Sequence, residues 1–140
     1  LPTVLRAQSP APIVGSWNIE WESGRQITNG ETIAVMAKGL MKVEVSGDSL
    51  LATVTMQSRS DGQPVRPPIS FGGRRTDKGA SFTQISEATL NMNGEERKQR
   101  SVGTWVLDVQ GDQVSGQIRR EIEGLAIEIP PAAVKGARAS

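Results

Sequence analysis

A chain of 140 residues, 36% hydrophobic, with 16 basic against 15 acidic side chains and a net charge of +1, is long enough for one domain with its own core. It contains no cysteine and no histidine, which excludes thiol nucleophiles, Cys/His zinc sites, histidine-ligated haem and every histidine-based triad. The balanced charge sets up no global field for nucleic acid or an anionic membrane.

The N-terminal stretch LPTVLRAQSPAPIVG has two readings: the end of a bacterial secretory signal followed by the start of an exported chain, or an ordinary flexible Pro/Ala segment. Residues 1–14 are expected as an extended tail, and export to the bacterial periplasm is the expected location. GSWNIEW follows. Trp17, Ile19 and Trp21 alternate with Ser16, Asn18 and Glu20, the period-two pattern of a half-buried strand from about Ile13 to Glu22. Ser23-Gly24-Arg25 breaks it. A second strand is expected over Glu31 to Ala37, with Ile33, Val35 and Ala37 on one side. After Lys38-Gly39, Met41, Val43 and Val45 make a further run. Ser46-Gly47-Asp48-Ser49 then leads into Leu50, Ala52, Val54 and Met56. Alternating runs on both sides of a Gly-first two-residue turn signal a hairpin.

Beyond the loop SRSDGQP, the stretch from Val65 to Phe71 is a short strand that Pro67-Pro68 confines to an edge. Gly72 to Gly79 reads as a loop carrying Arg74 and Arg75. Ser81 to Met92 alternates on either of two parities, Phe82/Gln84/Ser86 or Thr83/Ile85/Glu87, so its register stays open. The polar run from Asn93 to Arg100, holding Arg97, Lys98 and Arg100, ends it. Ser101 to Val109 and Val114 to Glu123 form a second hairpin about Gly111-Asp112. Leu125, Ile127 and Ile129 make a last alternating run before Pro130-Pro131 and an Ala-rich tail. VEVSGDSLLATV and LDVQGDQVSGQI share their pattern because both use the same good turn, with internal duplication as the alternative. Around eight short strands with frequent turn signals imply an antiparallel barrel or sandwich, and a barrel removes exposed edges.

Gly15-Ser16-Trp17 resembles the G-x-W opening of lipocalin-like (calycin) barrels, and the paired Gly-Asp hairpins look like those of small exported bacterial β-domains. The resemblance covers roughly Gly15 to Glu123. It implies a single up-and-down barrel over residues 15–129, tails at 1–14 and 130–140, and an Arg of the last strand packed across the first-strand Trp. Arg120, inward with Ile118 and Ile122 while Arg119 points out, is the residue expected on Trp17.

Glu20/Glu22 and Glu121/Glu123 read as solvated faces, with a raised pKa as the less favoured alternative. No phosphate loop, calcium loop or serine-nucleophile motif is present. The expectation is therefore a protein without catalysis, cofactor or metal. Its leading role is an accessory or structural subunit on the periplasmic side of a larger complex, such as a membrane electron-transfer or photosynthetic one. Contacts to the other protein subunits would come from the tails and from Arg74, Arg75, Arg97, Lys98 and Arg100, with membrane contact only through partners and no nucleic acid. The alternative is a carrier holding a small apolar ligand among Trp17, Trp21, Trp105 and Arg120.

Overall fold

The computed structural model describes residues 12–28, 30–92, 94–124 and 129–139; the expected N-terminal tail up to residue 11 and the alternating residues Leu125 and Ile127 lie outside them. Eight antiparallel strands close into one up-and-down barrel: β1 (Gly15–Thr28), β2 (Glu31–Ser46), β3 (Ser49–Arg59), β4 (Ile69–Arg75), β5 (Gly79–Met92), β6 (Glu95–Gln110), β7 (Gln113–Ile122) and β8 (Ala132–Arg138). Each strand pairs with its neighbour in sequence, and β1 pairs with β8 from Trp17↔Arg138 to Trp21↔Val134. The expected all-β barrel is the fold.

Alternation sorts the side chains. Trp17, Ile19 and Trp21 of β1, Val35, Ala37, Met41 and Val43 of β2, and Leu50, Ala52 and Val54 of β3 are all buried. On β5 the open question resolves towards Phe82, which is buried, whereas Ile85 is 58% exposed. The parity of β5 follows from its partners, because Phe82 sits opposite the buried Trp105.

Several expected boundaries move. β2 runs without a break through Lys38-Gly39, where the β2–β3 register shifts by a bulge instead. Bulges let a strand turn a barrel corner without ending it. β4 begins after Pro67-Pro68 and lies inside the closed sheet, so the prolines precede the ladder and do not make an edge. Arg74 and Arg75, expected on a loop, end β4. Arg97, Lys98 and Arg100, also expected on a loop, are in β6 opposite Leu90, Thr89 and Glu87.

The largest correction is at the C-terminus. Residues 132–138, expected as part of a tail, form β8, with Ala132 and Val134 buried. The eight strands are reached by a partly different route: two expected runs merge into β2, β8 adds one, and the expected run from Leu125 to Ile129 supplies no strand among the described residues. The earlier pattern was present but faint, since Ala132, Val134, Gly136 and Arg138 alternate with Ala133, Lys135 and Ala137. Small inward residues are what this strand needs. A Cβ at Gly136 would overlap the Asn18 carbonyl of β1, so only glycine allows the two backbones to approach this closely.

One barrel end is shut. Trp17 is fully buried and its Nε1 donates to the Ile13 carbonyl at 2.9 Å. The Arg138 guanidinium lies over the indole, 4.2 Å from its centroid. Its Nη1 and Nη2 donate to the Val14 and Pro12 carbonyls at 3.3 and 2.9 Å, and its Nε lies 3.3 Å from the Asp112 Oδ1. Arg138 thus takes the place expected for Arg120, because the last strand is β8 and not β7. Replacing Arg138 by Ala should lower stability by roughly 1–3 kcal/mol through loss of the cation–π contact and the carbonyl bonds. Thermal unfolding of this variant beside Arg119→Ala, an exposed control, checks it, and equal midpoints would contradict the lock.

The β2–β3 and β6–β7 hairpins turn on glycine: Gly47 and Gly111 have φ of 61°. No atom lies within 4 Å of a Cβ built at either position, so the restriction is backbone strain and not space. Gly111→Val should cost more stability than Gln113→Val, measured by denaturant midpoint, with equal cost contradicting the turn assignment.

Candidate functional site

In an up-and-down barrel alternate hairpins sit at alternate ends. The β2–β3, β4–β5 and β6–β7 turns share the end closed by Trp17. At the other end β1–β2 and β5–β6 run on as two-stranded ribbons: β1 has no β8 partner beyond Trp21, and β5 pairs with β4 only at Ala80 to Phe82. Between the ribbons the interior opens as a cup of about 250 Å³.

Trp21 and Trp105 reach the bottom of the cup, and Phe71 and Phe82 continue the aromatic row into the core beneath them. Trp21 and Trp105 lie 6.2 Å apart between ring centroids, Trp105 and Phe71 5.3 Å, and Phe71 and Phe82 5.9 Å. Such pairs contribute about 0.5–1.5 kcal/mol each beyond burial, so the floor is also a rigid part of the core. Trp105 donates its Nε1 proton to Gln84 Oε1 at 3.1 Å, which fixes the tilt of the indole. Val54, Met56, Pro67 and Ile69 supply apolar wall, while Ser23, Gln84, Ser86 and Ser101 supply hydroxyl and amide groups.

Two guanidiniums flank this wall. Arg120, half-buried on β7, points inward as its parity requires, and its Nη2 donates to the Glu22 carbonyl at 3.1 Å. Arg66 is exposed on the lip, in the segment between β3 and β4. Glu87 brings a carboxylate to the same rim and lies 3.6 Å from the Lys98 Nζ on the ribbon.

The structure therefore gathers Trp21, Trp105 and Arg120 in one cup and leaves Trp17 at the opposite, closed end. Arg74 and Arg75 also sit at the closed end, far along the barrel from Arg97, Lys98 and Arg100, so these five residues form no single patch. Arg97 lies 3.9 Å from Glu95, and Arg100 3.6 Å from Glu123; exposed pairs of this kind add little to stability. Met56, Gln84 and Arg66 were missed by sequence reasoning. Met56 and Gln84 lay on the correct inward parities and carried a usable signal; Arg66 sits in a loop, where no period operates. Among the described residues no group of His, Cys, Asp and Glu is arranged to hold a metal ion.

The segment that carries Arg66 is anchored at its start. Arg59 and Asp61 pair through two bonds, Nε to Oδ1 at 3.1 Å and Nη2 to Oδ2 at 2.6 Å. The Gln63 N–H donates to Oδ1 at 3.1 Å, and Ser60 stitches the turn to Met36 of β2 through its N–H and its Oγ. Partial desolvation alone would raise the Asp61 carboxyl, but the Gln63 N–H and the Arg59 hydrogen bonds and charge outweigh it and hold the group below its ordinary 3.8.

The chain matches no protein-family model, and comparison with curated proteins and with solved structures finds no match.

A depressed carboxyl favours the fold above its unfolded value and loses that contribution as pH falls through the folded value. Asp61→Asn should therefore be less stable than the parent at pH 7, and the difference should shrink as pH drops below 3.8. Paired thermal melts from pH 7 to about 2.5 check this. A gap independent of pH would contradict the role given to the Asp61 charge.

Proposed function

We propose that this protein is a non-catalytic binding protein whose small ligand sits in the open cup on Trp21 and Trp105. The observation that carries the reading is the cup itself: a concave site with an aromatic floor, an apolar wall and a few converging polar groups, the usual make-up of a small-molecule site. A barrel filled only for stability has no need to keep one end open while the other is sealed. The proposed relationship to lipocalin-like (calycin) barrels is supported by the eight-stranded topology and by Arg138 packed across Trp17. Export to the periplasm remains part of the proposal and is supported by the N-terminal sequence alone.

The assembly-subunit reading stands second. One of its two supposed tails is a core strand, and its basic residues are spread over both barrel ends. What favours it is the pair of ribbons, whose outer strand edges beyond the barrel have no ladder partner among the described residues.

Native mass spectrometry on the protein isolated from its source decides between the two. A bound small molecule is expected in the wild type, lost from Trp21→Ala, which removes floor at a cost of roughly 3–5 kcal/mol of stability, and lost from Ser101→Trp, which fills the cup. Co-isolated protein chains with an empty cup would overturn the ligand reading.

A further inference from the structure

The bottom of the cup leaves little for a guest to recognise. Trp21 and Trp105 are almost wholly covered and stand at 54° to each other, so neither presents a flat face. Arg120 is already engaged, by the Glu22 carbonyl and by a further partner. What remains open is the wall, and its two sides differ. Met56, Pro67 and Ile69, from β3, β4 and the segment between them, make one side apolar. Gln84, Ser86 and Ser101, from β5 and β6, make the other side polar. Arg66 and Glu87 place one charge of each sign on the lip, both exposed, which favours no ion of either sign. A cavity of about 150 Å³ holds benzene, so the cup's volume of about 250 Å³ holds on the order of ten non-hydrogen atoms.

Gln84 has one defined orientation. An indole Nε1 only donates, so the Gln84 atom that meets Trp105 at 3.1 Å must be the amide oxygen. The amide nitrogen is therefore on the other branch of the fork, and its two N–H donors have no partner among the described residues. Gly103 stands opposite Gln84 on β6 and has no side chain to cover that amide. Two residues along β6, Ser101 lies on the same face, half-buried, and its hydroxyl also has no partner among the described residues. A carbonyl oxygen has two lone pairs and can accept from both groups at once.

We propose that the cup binds a small, neutral, mainly aliphatic carbonyl compound, such as a ring ketone, lactone or ester. Its hydrocarbon body lies against Met56, Pro67 and Ile69, and its carbonyl oxygen accepts from the Gln84 Nε2–H and the Ser101 Oγ–H. This rests on the cup being a ligand site, and it adds the ligand's class. A plain hydrocarbon of the same size would cover the two donors without pairing them, and a site with polar groups left unpaired rejects such a guest.

The test titrates the full chain with cyclooctanone, cyclooctanol and cyclooctane, followed by nitrogen–proton correlation NMR of the side-chain amides. The expected result is that the ketone binds about five- to tenfold more tightly than the hydrocarbon, the worth of a neutral hydrogen bond, and moves the Gln84 Nε2 resonances. Gln84→Glu keeps an oxygen for the Trp105 N–H and replaces the two donors by an acceptor. It should weaken the ketone at least about fivefold and leave the alcohol, whose own O–H can donate to the new carboxylate, bound as tightly as before. Ser101→Ala should weaken the ketone by a smaller factor and leave the hydrocarbon unchanged. If Gln84→Glu fails to fold, the ketone-to-hydrocarbon ratio, the Gln84 amide shift and Ser101→Ala still decide the matter. Equal binding of ketone and hydrocarbon, or ketone binding that leaves the Gln84 amide unmoved, would overturn the carbonyl assignment while leaving the cup as a ligand site. No binding of any of the three probes would overturn this proposal together with the ligand reading beneath it.

Discussion

The rest of the structure depends on the contact of Arg138 with Trp17. These residues stand opposite each other on the last strand and the first, so their contact is where an eight-stranded sheet becomes a closed barrel. The indole fills the end of the interior, and the guanidinium covers it while donating to the carbonyls of Pro12 and Val14. One side chain thus covers the core, ties the entering backbone to the exiting strand and satisfies carbonyls at the rim. Closure itself removes the two strand edges that an open sheet of this length would expose.

Sealing one end leaves the other free to differ. At the far end β4 is short, β5 leaves its β4 partner after Phe82, and the ribbons continue without flanking strands. Local opening free energies follow such differences in burial and pairing, so the ribbons and the segment from Ser60 to Pro68 are where motion is least costly. The aromatic row from Trp21 through Trp105 and Phe71 to Phe82 separates the two regimes: its lower members are core, and its upper faces form the floor of the cup. A binding site of this kind is preorganised from below and adjustable from above, and the Arg59–Asp61 pair limits how far the adjustable wall can move.

Much of this was legible in the residues. Strict alternation placed Trp17, Ile19, Trp21, Leu50, Ala52 and Val54 inside, because a strand has only two faces and the pattern permits one burial. The Gly-Asp turns were legible for the same local reason. The eighth strand was not, since AAVKGAR carries its inward face on Ala, Val and Gly, residues too small to raise a hydrophobic signal. Without β8 the last strand is β7, which places the expected Trp17 partner at Arg120, one strand too early. The site was half legible. Parity put Trp21, Trp105 and Arg120 inside, but parity says nothing of position along the barrel, and that coordinate separates Trp17 from the cup. Strand registers, bulges and the course of the loop bearing Arg66 are long-range facts that no local period encodes.

If closure through β8 is the constraint on which the barrel rests, residues 132–138 cannot be treated as an appendage. The most direct measurement is the thermal and denaturant unfolding of a chain that ends at Pro131, followed by circular dichroism and tryptophan fluorescence. Loss of β8 removes Ala132, Val134 and Arg138 together and bares the edges of β1 and β7. The account predicts that this chain has no cooperative transition and that Trp17 emits as a solvated indole, with the signal restored by adding the missing segment as a peptide. A truncated chain that unfolds cooperatively at the midpoint of the full-length protein would contradict it.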